Sequence, residues 1–377
     1  MWKLLPIVIF ALVFAGLTEY FSISRIDANG MKVYEKKANI YYYIMAIAMA
    51  VFVGLRLYYN DTGLYVKGYE AIKVYNSLTE TLFKGYKFDW SSSFGFELAS
   101  RMIKYCHFSK SSFLMIFSLF TIFTNLWFIK KYSEDIFLSV FYYITMGSFT
   151  FAMAAMRQCT AIAFCLFAVD FIIRKKYFRF VLFVLIGISM HQFAFVFFAV
   201  PLLVFKPWTN RTFIFLASGI ILSIFMKPLL GTITEFASSY RGGYDSNAFS
   251  GEGVNIFRVL VSWVPLVLSF IVKDKIRDNR GQNIIINLSM LNAVIMFLGL
   301  FGTANYFARL ANYFLVFQTI SLPIILRYFD KERQYLTVGS IIGFSAYFVY
   351  ANIFAQGGFD ANFYGISIFK YFGNIFD

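Results

Sequence analysis

Residues 151–190, FAMAAMRQCTAIAFCLFAVDFIIRKKYFRFVLFVLIGISM, followed by His191, decide how the rest of the chain is read. From Ile136 to Ile173 the only charged side chains are Arg157 and Asp170. An apolar run of this length spans the hydrocarbon layer as a helix, where every backbone polar group must find its partner within the segment. An arginine at the centre of such a helix costs about 2.5–3.5 kcal/mol on insertion scales. It therefore snorkels to the interface, finds a partner or performs a task. Arg174, Lys175, Lys176 and Arg179 close the run and mark that side as cytoplasmic by the positive-inside rule.

The same pattern repeats outward in both directions. Of 377 residues, 59% are hydrophobic and only 14% charged, with mean hydropathy +0.66, which excludes a set of soluble domains. The reading is an all-α, polytopic integral membrane protein, a single transmembrane domain over residues 1–377 with about twelve helices. The expected spans are 4–20, 40–55, 112–129, 136–151, 154–173, 212–230, 254–272, 284–301, 306–326 and 335–354, plus two in 178–205. That last stretch is apolar beyond Arg179 except for Ser189, His191 and Gln192. Dividing it near His191 keeps the basic loop 273–280 on the cytoplasmic side. Both termini then lie outside, with the N-terminal run read as a retained span. Residues 56–110 are too polar to cross and too aromatic to leave the bilayer, so they form a long external amphipathic loop region after the second helix. Residues 231–253 form a second external loop.

The net charge of +14 belongs to short loops between spans and not to a nucleic-acid surface, so no nucleic acid is expected. Cys106, Cys159 and Cys165 make no metal-ligand spacing, and no metal or cofactor is expected.

This topology sorts the unusual polar residues to the outer side: Arg56, Asp61, Tyr65, Glu97, Arg157, Gln158, His191, Arg258, Asn305, Arg309 and Tyr313. Four arginines on the side that charge bias disfavours call for an anionic ligand, since guanidinium forks match phosphate oxygens. Aromatic rings beside them offer faces to sugars, and a lipid tail would use the membrane as its pocket. Structural readings stand beside these. Arg56 is also an interfacial anchor, Asp61 its ion-pair partner, Glu97 part of a solvated face and His191 a packed turn residue. Arg309 with Tyr313 at i,i+4 is also a stacked helix pair, and Asp170 pairs with Arg174 at the same spacing.

Gly54–Leu55–Arg56 followed by Asp61 and Tyr65, then Gly95–Phe96–Glu97, Arg157–Gln158 with Ala161, His191 after a short span, and Arg309 with Tyr313–Phe314 together resemble the EpsG-like family of bacterial polysaccharide polymerases, within the broader Wzy class. The likeness covers roughly residues 40–326. One departure is Ser93, at a position where the family often carries glutamate. The resemblance implies a metal-independent glycosyltransferase of GT-C type at the outer face of the bacterial inner membrane. It would polymerise O-antigen, capsule or exopolysaccharide from undecaprenyl-pyrophosphate-linked repeat units. The acceptor hydroxyl would attack the donor's anomeric carbon and undecaprenyl pyrophosphate would depart. Expected roles are base for His191, Asp61 or Glu97, and pyrophosphate or sugar binding for Arg157, Arg309, Arg56, Arg258, Gln158, Tyr313, Asn305 and Tyr65. Membrane lipid and a chain-length regulator are the further partners it allows. The alternatives are a lipid-linked oligosaccharide flippase or transporter, which would carry charge through the membrane depth, and a membrane O-acyltransferase, whose histidine would serve a cytosolic donor.

Overall fold

The computed structural model describes residues 1–26, 32–86, 93–225, 253–301, 304–354 and 358–373, except the side chains at 25–26, 32–33, 36 and 304–305. The expected loop at 231–253 therefore lies, but for Gly253, outside the described residues. The chain divides into two compact units, Met1–Ala199 with Phe348–Asp377, and Val200–Tyr347.

The first unit opens with α1 (Leu5–Tyr20), the antiparallel pair β1 (Ile23–Ile26) and β2 (Lys32–Lys36), and α2 (Ile40–Gly54). After β3 (Arg56–Tyr58) come three short helices, α3 (Thr62–Glu70), α4 (Leu78–Phe83) and α5 (Phe94–Tyr105). Then follow α6 (Lys110–Tyr132), α7 (Ile136–Thr145), α8 (Ser148–Ala154), α9 (Met156–Ile173) and α10 (Tyr177–Met190). A 3-10 helix, Gln192–Leu203, leads onward.

Local chemistry sets these boundaries. Ser109 accepts the Ser112 N–H at 3.2 Å to start α6, and Lys130 and Lys131 close it where the helix dipole favours cations. Asp135 accepts the Leu138 N–H at 2.9 Å to start α7. The run expected as one span at 136–151 is bent by 49° between α7 and α8, because Gly147 sits at φ 92°, a conformation that favours glycine. Within 178–205, read as two spans, the α-helix gives way at His191 to the 3-10 helix. α10 ends at His191, whose extended backbone (φ −157°, ψ 121°) interrupts the helix.

Among the described residues, four helices are long and apolar enough to cross a membrane, or six if each bent pair is one span. Six further apolar helices have 10–17 residues. The chain is thus an all-α, multi-pass membrane protein with two minor strand pairs.

Contacts within the first unit define two ends. At one, Lys131, Tyr132 and Arg174 converge on buried Asp170, joining the last turns of α6 and α9, which therefore run in the same direction. The Lys37 ammonium bonds the carbonyls of Lys130 and Ser133, the latter at 2.8 Å, so α2 starts at this end too. At the opposite end lie the finish of α2, the starts of α6 and α9 and the finish of α10. Here α3 and α5 cover them, burying Tyr69, Phe96, Phe113, Leu114, Phe117 and Met156 in one cluster, with Tyr65 and Met190 packed against it.

α5 (FGFELASRMIKY) turns Phe96 and Ser100 inward and leaves Met102 exposed, with the Lys104 ammonium lying over the Tyr69 ring. Gly95 permits its seating: a β-carbon there would stand 3.1 Å from the Ser189 carbonyl oxygen and collide with that residue's side chain. The tail returns to this end as α17 (Phe359–Asn362), β4 (Tyr364–Gly365) and α18 (Ile368–Gly373). β4 pairs antiparallel with β3, and the Lys3 ammonium bonds the Asp360 and Phe363 carbonyls at 2.8 and 2.9 Å.

The second unit contains α11 (Asn210–Ile224), α12 (Ile256–Ile271), α13 (Arg280–Leu298), α14 (Ala304–Asn312), α15 (Leu315–Leu326) and most of α16 (Arg333–Ile353). Polar side chains bind its buried helices. Gln318 donates to the Ser262 carbonyl at 2.7 Å, and Ser321 bonds Ser289 at 2.8 Å. The run expected as one span at 306–326 is bent by 55° between α14 and α15. Tyr313 and Phe314 bond back three residues, to Leu310 and Ala311, so the α-helical ladder lapses there.

Candidate active site

Arg56 is 1% exposed and the most engaged of the expected site residues. One terminal nitrogen donates to the Val53 carbonyl at 2.6 Å and the Ser118 hydroxyl at 2.8 Å. Nε donates to Thr62 Oγ1 at 3.3 Å, and the other terminal nitrogen faces Met156 Sδ at 3.6 Å. Among the described residues no carboxylate pairs with it. Burial pulls the guanidinium well below its usual value, to about 10, so it stays charged at neutral pH. These contacts fasten the end of α2 to α6, to the first turn of α3 and to the first residue of α9.

The two elements so fastened carry the next pair. Tyr65 lies one turn along α3, and Arg157 follows Met156 on α9. The exposed Arg157 guanidinium lies 5.3 Å from the centroid of the Tyr65 ring and within hydrogen-bonding reach of its hydroxyl. Desolvation raises the Tyr65 phenol above its usual value, opposed by Arg157 and reinforced by Asp61. Asp61 heads α3 without a side-chain capping bond. Its carboxylate makes no hydrogen bond or ion pair among the described residues. The structure thus brings Arg56, Asp61, Tyr65 and Arg157 together, two cations and one anion. Gln158 is buried one residue further along α9.

His191 stands at the same end, half-buried at the finish of α10, its ring 5.4 Å from that of Phe193. Its N–H bonds the Gly187 carbonyl, and its own carbonyl receives the Ala194 N–H, both at 3.0 Å. Glu97 is differently placed. Arg101 holds its carboxylate at 2.8 and 3.0 Å while donating to the carbonyls of Thr81, Leu82 and Lys84 at the end of α4. That pair fastens two surface helices.

In the second unit, Val254 N–H bonds the Gly299 carbonyl at 2.8 Å, so the start of α12 meets the finish of α13. Arg258 is half-buried in the first turn of α12 and makes no side-chain hydrogen bond or ion pair among the described residues. Arg309 is exposed on α14, and Tyr313 is fully buried at the bend after it. Asn292 of α13 donates to the Ala311 carbonyl at 2.6 Å, bracing that bend. The side chain of Asn305 lies outside the described residues. The site residues therefore fall into two sets, one per unit.

A profile of the EpsG family matches residues 39–371. The chain belongs to the EpsG family. No curated protein and no solved structure matches it. Membership makes it a polysaccharide-polymerase-like, glycosyltransferase-like membrane protein whose class acts on lipid-linked oligosaccharide. In this EpsG-family chain the motif residues acquire physical roles: Gly95 admits Ser189, and Arg56 braces the pair formed by Tyr65 and Arg157. Four residues escaped the sequence reading. Thr62, Ser118 and Met156 complete the Arg56 socket and carry no signal of their own. Arg101 was visible in principle, four residues after Glu97.

Proposed function

We propose that the chain polymerises undecaprenyl-pyrophosphate-linked repeat units at the outer face of the bacterial inner membrane, as a metal-independent GT-C-type glycosyltransferase of about twelve spans with both termini outside. The observation that carries this reading is the exposed Arg157 over Tyr65, with Asp61 adjoining, at the end of the first unit opposite the basic Lys37, Lys130, Lys131 and Arg174. Positive charge gathered at that opposite end is what the cytoplasmic side of a membrane protein carries. Twelve apolar helical segments among the described residues, counting each bent pair as one, support the span count.

In the reaction, the acceptor sugar's hydroxyl oxygen bonds the donor's anomeric carbon as the bond from that carbon to the phosphate oxygen breaks. Negative charge develops on the departing pyrophosphate, and Arg157 stabilises it as a fixed, exposed guanidinium. Tyr65 holds Arg157 in place through its ring and hydroxyl. Gln158, one residue further along α9, orients sugar or phosphate oxygens beside it, while in the second unit Arg258 and Arg309 offer cations, and Tyr313 and Asn305 polar groups, to lipid-linked glycan. Asp61 takes the hydroxyl proton, because its carboxylate is unengaged among the described residues; His191 is the alternative base at the same end. Glu97, held by Arg101, positions α5 in this scheme. Arg56 acts through its neighbours and touches no substrate.

The test is Arg157→Ala in cells lacking the wild-type copy. The variant is expected to insert normally and to leave glycans at a single repeat unit. Long polysaccharide of normal length distribution would remove Arg157 from the site.

A further inference from the structure

The end of the first unit remote from Arg157 holds a groove of about 310 Å³, lined on α2 by Tyr42, Tyr43 and Ala46, on α6 by Phe123, Trp127 and Lys130 with their neighbours, and on α9 by Phe167. We propose that it seats one acyl chain of an anionic membrane phospholipid, with the headgroup phosphate at Lys130. The volume lies at the small end of ligand cavities (~300–1,000 Å³), enough for part of a chain and not for a whole lipid. The walls are chiefly apolar and aromatic, with the Trp127 and Phe167 rings 5.0 Å apart. A hydrated anion has no reason to enter; a lipid tail has.

Charge at the mouth selects the headgroup. The Lys130 ammonium donates to Asn39 Oδ1 and stands 4.6 Å from the Tyr43 ring and 5.2 Å from the Tyr42 ring. No carboxylate pairs with it among the described residues. Three acids of this end have partners other than Lys130. Asp170 is held by Lys131, Tyr132 and Arg174, Glu19 by Tyr34 and the Ile136 N–H, and Asp135 by the Leu138 N–H. A lysine with a free donor, framed by tyrosines and a tryptophan at the rim of an apolar groove between spans, suits an anionic headgroup at the bilayer interface.

The experiment uses the full-length protein in phosphatidylcholine vesicles containing small amounts of bromine-chained phosphatidylglycerol or bromine-chained phosphatidylcholine, with tryptophan quenching as the readout. Brominated phosphatidylglycerol is expected to quench Trp127 at lower mole fraction than brominated phosphatidylcholine, and Trp127→Phe should abolish that component. Lys130→Gln should raise the half-quenching mole fraction of the anionic lipid by about fivefold, the effect of one interfacial cation, and leave that of the zwitterionic lipid unchanged. Equal quenching by both lipids, or unaltered selectivity in Lys130→Gln, would overturn the proposal. Displacement of bound phosphatidylglycerol by polyprenyl phosphate at far lower mole fraction would overturn the choice of occupant and give the groove to the carrier lipid.

Discussion

Arg56→Met replaces a buried cation by an apolar side chain of similar length, and its effects on stability and activity should diverge. Three acceptors lose a donor, but two keep another bond. Ser118 still donates to the Leu114 carbonyl and Thr62 to the Tyr59 carbonyl, each at 2.7 Å. The Val53 carbonyl, without such a second side-chain bond among the described residues, accounts for a loss of about 1–3 kcal/mol. Against it stands relief of the burial that pulls the guanidinium down to about 10, a penalty of about 3 kcal/mol on the charged form. The two nearly cancel, so the thermal midpoint of the purified protein should change by only a few degrees. Arg56→Ala, by contrast, leaves a void in packed surroundings and should cost about 2–5 kcal/mol.

Activity should respond differently. The guanidinium ties Thr62 of α3 and Met156 of α9, the anchors on either side of the Tyr65–Arg157 contact. Releasing them lets the pair shift, and a misplacement of about 1 Å at a reacting centre lowers rates about 100-fold. The assay is glycan chain length in cells together with the extension rate of purified protein. A fully active Arg56→Met would refute the positioning role. A variant that fails to insert would show that the charge builds the fold itself.

Tyr65→Ala should slow extension about 2- to 30-fold, the worth of one cation–π contact between exposed and desolvated limits, and Tyr65→Phe should retain the ring's share. Because the Tyr65 phenol titrates above its usual value, Tyr65→Phe should leave the rate profile unchanged between pH 7 and 9; a displaced alkaline limb would give the hydroxyl a proton-transfer role. Asp170→Asn leaves Lys131 and Arg174 without their shared carboxylate, and with Asp170 buried the loss should reach about 3–5 kcal/mol. It should appear as reduced yield and midpoint, while the rate per folded molecule stays near wild type. Glu97→Gln breaks a pair whose carboxylate is 40% exposed, so stability should fall by about 1 kcal/mol at most and extension should persist; complete loss of extension would restore Glu97 as the base.

What the sequence reveals here follows from range. Apolar runs are local, and each expected span begins or ends within a few residues of a helix. The helix break at His191 falls where the polar Ser189, His191 and Gln192 interrupt the apolar run. Pairing of Asp170 with Arg174 at i,i+4 was legible for the same local reason, though Lys131 and Tyr132, on another helix, were not. Bends within apolar runs escaped. Hydropathy passes unchanged through Gly147 and through Tyr313–Phe314, and the causes are a positive φ and a lapsed bonding ladder.

The site divides along the same line. Arg157 and Tyr65 could be singled out by residue type, but Arg56 looked like another substrate arginine, because nothing in its own segment tells of Ser118 and Met156 closing over it. The pairing of Tyr364–Gly365 with the strand that Arg56 begins joins residues about three hundred positions apart and leaves no local trace.

The most direct test of the central claim supplies purified protein, reconstituted in vesicles, with a single lipid-linked repeat unit presented from one side. The account predicts a ladder of longer glycans, with one polyprenyl pyrophosphate released for each unit added and both lost in Arg157→Ala. Transfer of the unextended repeat unit across the membrane, with no pyrophosphate released, would contradict it and make the protein a transporter.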